Sequence, residues 1–216
     1  CLTKLIMKKL ILFTLLFTVF FSTAQKKELR NANKFFISGE YSSAIDLLDS
    51  AKDLFDSSDD KIKSQAMLLY GKIHTSMEDF ELAMKAFDMS KNLGTSDQIL
   101  NPEVRKLETA IITSAVGDNE TENFSSAAKK LKMVYDLNTE TNQEYLYYAA
   151  SSAVNSLDYP LALSYYELLR DIKYEGIETK FYITEVSSGS EIEINSETEF
   201  NLLQKSKEYE NPREED

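Results

Sequence analysis

Few residues in this chain could carry catalysis: it has one histidine, His74, one cysteine, Cys1, and many carboxylates. A transition-metal site of the usual nitrogen and sulfur ligands needs several of the first two types, and they do not exist here. A Cys-His nucleophilic pair would need Cys1 beside His74, yet Cys1 sits ahead of an apolar run that reads as removable. A serine triad would have to borrow His74, with no nucleophile-elbow glycines near it. Gly94 and Gly117 stand alone, so no glycine-rich phosphate loop is spelled. His74 therefore reads as a core or half-buried histidine. Carboxylates are plentiful enough for an acid/base pair, but the clusters Asp59-Asp60 and Glu214-Glu215-Asp216 have the setting of a solvated loop and a charged tail. The run Asp56 to Asp60 lacks the glycine and the terminal glutamate of a calcium loop. The expectation is no catalytic residue, no metal site and no cofactor.

With chemistry set aside, composition bounds the architecture. The chain has 216 residues, 43% hydrophobic and 28% charged, with only six glycines and three prolines. An all-β protein needs a turn every ~8–12 residues, so this scarcity of turn residues favours helix. The formal net charge is −12, and outside residues 1 to 24 the chain carries 21 basic against 36 acidic residues, a net of −15. Nucleic acid and anionic membrane surfaces are thereby disfavoured as partners, since both require cationic patches.

The amino terminus follows a different grammar. Met7-Lys8-Lys9 opens a charged segment, Leu10 to Phe21 is apolar apart from two threonines, and Ser22-Thr23-Ala24 offers small residues before Gln25. This pattern predicts a secretory signal peptide cut before Gln25, with Cys1 to Ile6 lying upstream of the start. The apolar run is short of the ~20 residues a spanning helix needs, so membrane contact is expected only through this segment if it stays uncleaved. The expected location is across the inner membrane, in the bacterial periplasm.

One phrase recurs in the remainder. EYSSAIDLL (Glu40 to Leu48), DFELAMKAF (Asp79 to Phe87), NFSSAAKKL (Asn123 to Leu131) and DYPLALSYY (Asp158 to Tyr166) share an aromatic, two residues, an alanine, and a large apolar residue four later. Their aromatics Tyr41, Phe80, Phe124 and Tyr159 are spaced by 39, 44 and 35 residues. Small residues recur nine positions before the aromatic, as Ala32, Gly71 and Ala150, with Ala115 as a fourth in the unit that fits least. Periods of this size point to a solenoid of two-helix units. In each, a small side chain where the helices cross lets their axes approach while aromatics fill the flanks.

These residues resemble the tetratricopeptide repeat. The second unit matches most densely, through Met67, Tyr70, Gly71, Phe80, Ala83 and Phe87. The resemblance implies an all-α fold: a right-handed helix-turn-helix solenoid of about four repeats over residues 25–171. Departures from a ~34-residue unit fall in polar stretches, at Asp56 to Asp60, Gly94 to Asp97 and Gly117 to Asn123. The third unit fits least, its first helix being expected over Pro102 to Val116. Ser42 and Ser125 are expected to cap their helices, and Pro160 falls in a first turn, where proline is tolerated.

Beyond Asp171 the period changes from helical to two. Lys180 to Val186 and Glu191 to Asn195 alternate around Ser187 to Ser190, predicting a β-hairpin, then a short helix over Glu197 to Lys207 and a charged tail. The order of Tyr174, Gly176, Phe181-Tyr182, Thr184, Gly189 and Phe200 resembles an insert of secreted bacterial tetratricopeptide proteins in which further repeats follow. On that resemblance, the 216 residues are the front of a longer protein.

The family resemblance also implies the work. The first helix of each unit lines a concave face that binds an extended peptide or a partner's helix. Carried across by position, the inward residues are Leu29, Asn33 and Phe36, then Leu68, Lys72 and Thr75, then Tyr147, Ser151 and Asn155. One family subtype clamps a terminal carboxylate with lysine and asparagine; Asn33 fits that pattern, but Leu29 stands where the lysine would be. Of the tyrosines 145, 147, 148, 165 and 166, two or three are expected to be buried and the rest to line the groove. The leading expectation is a non-catalytic protein-protein interaction scaffold of the cell envelope. The alternatives are the extracytoplasmic sensor region of a longer membrane signalling protein, and a hydrolase or carbohydrate-active enzyme with a pocket of paired carboxylates.

Overall fold

The computed structural model describes residues 24–176 and 179–215, so the expected signal segment lies, but for Ala24, outside the described residues. Residues 24–37 form helix α1. It is followed by α2 (Tyr41–Ser50), α3 (Lys52–Asp56), α4 (Asp60–Ser76), α5 (Phe80–Asn92), α6 (Asp97–Glu120), α7 (Phe124–Leu137), α8 (Gln143–Asn155) and α9 (Tyr159–Asp171). The chain forms two compact units, the first ending at Leu169 and the second beginning at Arg170.

The repetition reaches the backbone. Gly39, Glu78, Glu122 and Leu157 all adopt positive φ, at 77°, 61°, 60° and 62°. The N–H of the next residue then reaches back to the carbonyls of Phe35, His74, Asp118 and Ala153, at 2.7–3.0 Å. This is the six-to-one bond that closes a helix on a left-handed residue. One residue further the aromatic opens the second helix of each pair. The alanine three positions after it donates to the carbonyl of the residue before the aromatic: Ala44 to Glu40, Ala83 to Asp79, Ala127 to Asn123 and Ala162 to Asp158. The structure is thus mostly helical, built of paired helices resembling tetratricopeptide repeats: α1 with α2, α4 with α5, α6 with α7 and α8 with α9.

Packing follows the phrase. The four alanines are buried, and Gly71 of α4 stands against the ring of Phe87 on α5. Leu48 joins Ile62, Ala66, Leu69 and Ile73 of α4 in one core cluster. Phe80 and Phe87 join Leu100, Leu107 and Ile111 of α6 in the next. Ala128, Ala153 and Ala162 bring α7, α8 and α9 together. Two buried side chains find partners across the packing: Ser90 Oγ donates to the Ser64 carbonyl at 2.9 Å, and Asn142 Nδ2 to the Val134 carbonyl at 2.9 Å.

Three expectations need correction. The first helix of the third pair is longer than Pro102 to Val116, running from Asp97 to Glu120. Gly117 to Asn123 therefore does not widen a loop; it is mostly helix, with Pro102 tolerated near the start and a lone glycine costing only about 1 kcal/mol. Ser42 and Ser125 do not cap α2 and α7, because the aromatic before each is already the first helical residue and the cap positions are Glu40 and Asn123. Two helices are capped by aspartates: Asp59 Oδ1 accepts from the Ile62 N–H at 2.8 Å and Asp158 Oδ1 from that of Leu161 at 3.1 Å.

The third correction concerns the charged tail, which is a strand. In the second unit β1 (Lys180–Glu185) pairs antiparallel with β2 (Ser190–Ile194), as the alternation requires, and on its other edge with β3 (Tyr209–Glu215). The sheet order is β2-β1-β3. A bulge between the pairs Tyr182↔Arg213 and Thr184↔Glu210 takes up Asn211, at φ 51°, and Pro212, whose missing N–H is harmless on an edge. Helix α10 (Glu197–Leu203) covers the sheet with Phe200, which shares a core with Ile183 and Ile194. Arg213 binds β3 across the sheet: its guanidinium sits 4.1 Å from the Tyr182 ring and donates to both Glu191 oxygens, at 2.8 and 3.0 Å.

Candidate interaction groove

Helices α1 and α4, the first helices of two successive pairs, run beside a groove of about 390 Å³. Its lining falls on positions 26, 29, 30 and 33 of one helix and 65, 68, 69 and 72 of the other, each 39 residues from its counterpart. The groove is therefore made by the repeat itself: one helical stripe, at spacing i, i+3, i+4, i+7, presented twice. Leu29, Leu68 and Leu69 form an apolar floor, and Asn33 and Gln65 add amide groups.

Among the described residues, three cations, Lys26, Arg30 and Lys72, line the groove and no carboxylate does. Among the described residues none of the three is in an ion pair; Arg30 Nε reaches only the Lys26 carbonyl, at 3.5 Å, and Lys72 Nζ lies 5.2 Å from the centre of the Phe36 ring. In a chain of net charge −12 this is a local reversal of sign. Such a site attracts an anionic group while the floor takes an aliphatic one.

Four of the expected contact positions, Leu29, Asn33, Leu68 and Lys72, are thus brought into one groove. Phe36 lies against it, under Lys72, with its ring 5.9 Å from that of Tyr41. Thr75 is half-buried and its hydroxyl donates to the Gly71 carbonyl at 2.8 Å, within its own helix. Tyr147, Ser151 and Asn155 lie on α8 and are not part of this groove; Tyr147 is exposed and meets Tyr148 edge-on at 5.9 Å. None of the five tyrosines is fully buried: Tyr145 and Tyr165 are half-buried against the core, and the other three are exposed. Lys26, Arg30 and Gln65 were not foreseen, although stepping three or four residues back from Leu29, Asn33 and Leu68 reaches them.

His74 and two other polar side chains of the helical unit have structural partners. His74 is half-buried, stacks on Tyr70 at 6.2 Å, and its Nδ1 lies 3.4 Å from Asp79 Oδ2 beside the hairpin turn. Tyr70 donates to Asp49 Oδ1 at 2.6 Å, clamping α4 to α2; burial, then this bond, push its phenol far above the usual range. Asp118 meets Lys130 at 2.6 Å, and Lys130 also donates to Ser114 Oγ at 2.8 Å. Burial works to raise the Asp118 carboxyl, but Lys130 with hydrogen bonds from Ser126 and Asn123 holds it below the usual carboxylate range. Among the described residues, no three histidine, cysteine or carboxylate side chains are grouped to hold a metal, and no helix is long and apolar enough to cross a membrane.

A second groove, about 480 Å³, lies between α5, α6 and the turn from α7 to α8. It mixes both signs, with Lys91 and Arg105 against Asp88, Glu108 and Asp136. Asn142, buried at its edge, donates to Glu108 Oε1 at 2.6 Å.

No protein-family model matches the chain, and no curated protein matches it. Among solved structures it is similar to that of Pseudomonas aeruginosa PilF, at 11% identity and a TM-score of 0.33, over 70% of this chain and 77% of the other. At that score the likeness carries no weight for function.

Proposed function

We propose that this chain is a non-catalytic protein-protein interaction scaffold whose ligand, a peptide or a partner's helix, lies in the groove between α1 and α4. The observation that carries this reading is the convergence of Leu29, Asn33, Leu68 and Lys72, from helices 39 residues apart, around an apolar floor with a cationic rim. Such a surface recognises a segment by an aliphatic anchor and fixes its register by charge. The proposed location is the bacterial cell envelope, supported by the pattern from Met7 to Ala24.

A photo-crosslinking residue at position 68, on the groove, and another at exposed Leu82, on α5, test the reading in envelope extract. A discrete adduct from position 68 that position 82 does not give is the expected result. Adducts from position 82 alone, or from neither, would contradict it.

A further inference from the structure

The second helices α2, α5, α7 and α9 repeat one apolar pattern, but α9 leaves it uncovered. Seven residues after the aromatic stand Leu48, Phe87 and Leu131, exposed by only 0, 3 and 5%; the equivalent Tyr166 is 40% exposed. Four residues after it, Ile45, Met84 and Ala128 are half-buried or buried, whereas Leu163 is 59% exposed. The aromatics Tyr41, Phe80 and Phe124 are likewise half-buried or buried, whereas Tyr159 is 61% exposed. Residues 159, 163 and 166 form one helical stripe.

What covers the equivalent residues elsewhere is the first helix of the next pair. Leu48 lies under Ile62, Ala66, Leu69 and Ile73 of α4; Phe87 lies under Leu100, Leu107 and Ile111 of α6. Both covering helices present aliphatic residues along one face, at spacings of three, four or seven. The α9 stripe has kept the large side chains of that interface, and among the described residues they stay exposed.

We propose that Tyr159, Leu163 and Tyr166 form a second docking face, whose occupant is an amphipathic helix of another protein with an aliphatic stripe and basic flanks. The stripe is continuous in kind with the interfaces between pairs, which defines the shape of the occupant. The charge follows from the rim: Asp158 and Glu167 border the stripe, and Arg170 is already paired with Asp171 at 3.0 Å. A second copy docked face to face would set Asp158 and Glu167 against their own counterparts, so the acidic rim selects against self-association.

The probes are three labelled peptides titrated by fluorescence anisotropy against the whole chain. One carries leucines at i, i+4, i+7 and i+11 with lysine flanks, one the same leucines with glutamate flanks, and one the lysine-flanked composition scrambled. The lysine-flanked helix is expected to bind at least tenfold more tightly than the other two. Leu163→Asp is expected to weaken it at least tenfold, with Tyr166→Ser as a milder variant should the aspartate disturb folding by circular dichroism. Lys72→Glu, in the α1–α4 groove, is expected to leave this binding unchanged, which separates the two surfaces. Equal binding of all three peptides, or loss with Lys72→Glu but not with the α9 variants, would overturn the proposal. So would a wild-type dimer in sedimentation that Leu163→Asp dissociates, since the occupant would then be a second copy.

Discussion

Gly71 and Phe87 meet so closely that a Cβ on Gly71 would stand 2.4 Å from Cε1 of the ring. The contact joins α4 to α5 at their crossing, and both residues are buried. Gly71→Ala therefore forces a packed ring to move, at roughly 1–3 kcal/mol, against a gain of about 1 kcal/mol in helix propensity. The expected net outcome is destabilisation by about 1 kcal/mol in urea denaturation, with Phe87→Leu in the same chain relieving part of the specific clash. A stabilised Gly71→Ala would mean the pair is looser than the geometry says.

The hairpin turns make an opposed pair of predictions. Leu157 holds φ 62° with an exposed side chain, so Leu157→Gly removes backbone strain of about 1–2 kcal/mol, less the greater freedom glycine gives the unfolded chain. A gain of up to about 1 kcal/mol is expected. Gly39, at φ 77° with open space around its Cα, should lose about 1 kcal/mol on Gly39→Ala, from backbone strain alone. Both are read by thermal and urea melts, and changes of the opposite sign would contradict the shared turn.

Asp118 gives a pH dependence of defined sign. Its carboxyl is held below the unfolded value of about 3.9, so the stability it adds is fully present above that value and is lost as pH falls through the lower folded one. Asp118→Asn should be less stable than wild type at neutral pH, and the gap should close below about pH 4. Urea midpoints for both chains between neutral and acid pH check this; a constant gap would remove Asp118 from the account.

Strand β3 depends on Arg213. Its fork on Glu191 and its stacking on Tyr182 are what a planar guanidinium provides and an ammonium does not. Arg213→Ala and Arg213→Lys should both speed amide exchange across Tyr209–Glu215, with β1 to β2 pairing retained. Unchanged exchange in β3 would show that the backbone ladder suffices.

The interior of the helical unit was legible because its signals are local and redundant. An aromatic, an alanine and a large apolar residue at fixed offsets can satisfy one another only across a helix crossing, and Gly71, Ala83 and Phe87 meet there. The turn was less legible, since Glu78, Glu122 and Leu157 occupy a left-handed position where only Gly39 advertises it. Helix α6 outran its expected bounds because Gly117 reads as a breaker, yet costs too little to stop a helix of 24 residues. Strand β3 looks like a tail in the sequence because Glu, Arg and Pro carry little strand propensity, and its partner β1 lies more than twenty residues before it. Half the groove was visible in Leu29, Asn33, Leu68 and Lys72. Its cationic rim was hidden by a net charge that averages over the whole chain.

The most direct test of the account is a selection of random peptides displayed on phage against the whole chain, followed by rebinding to Lys72→Glu and Asn33→Ala variants. Peptides with an aliphatic anchor beside acidic residues are predicted to emerge, to lose at least tenfold in affinity on Lys72→Glu, and to keep their affinity on Lys91→Glu in the second groove. Acidic selected peptides that bind the Lys72→Glu and Asn33→Ala variants as well as wild type would contradict the claim that the α1–α4 groove is their binding site.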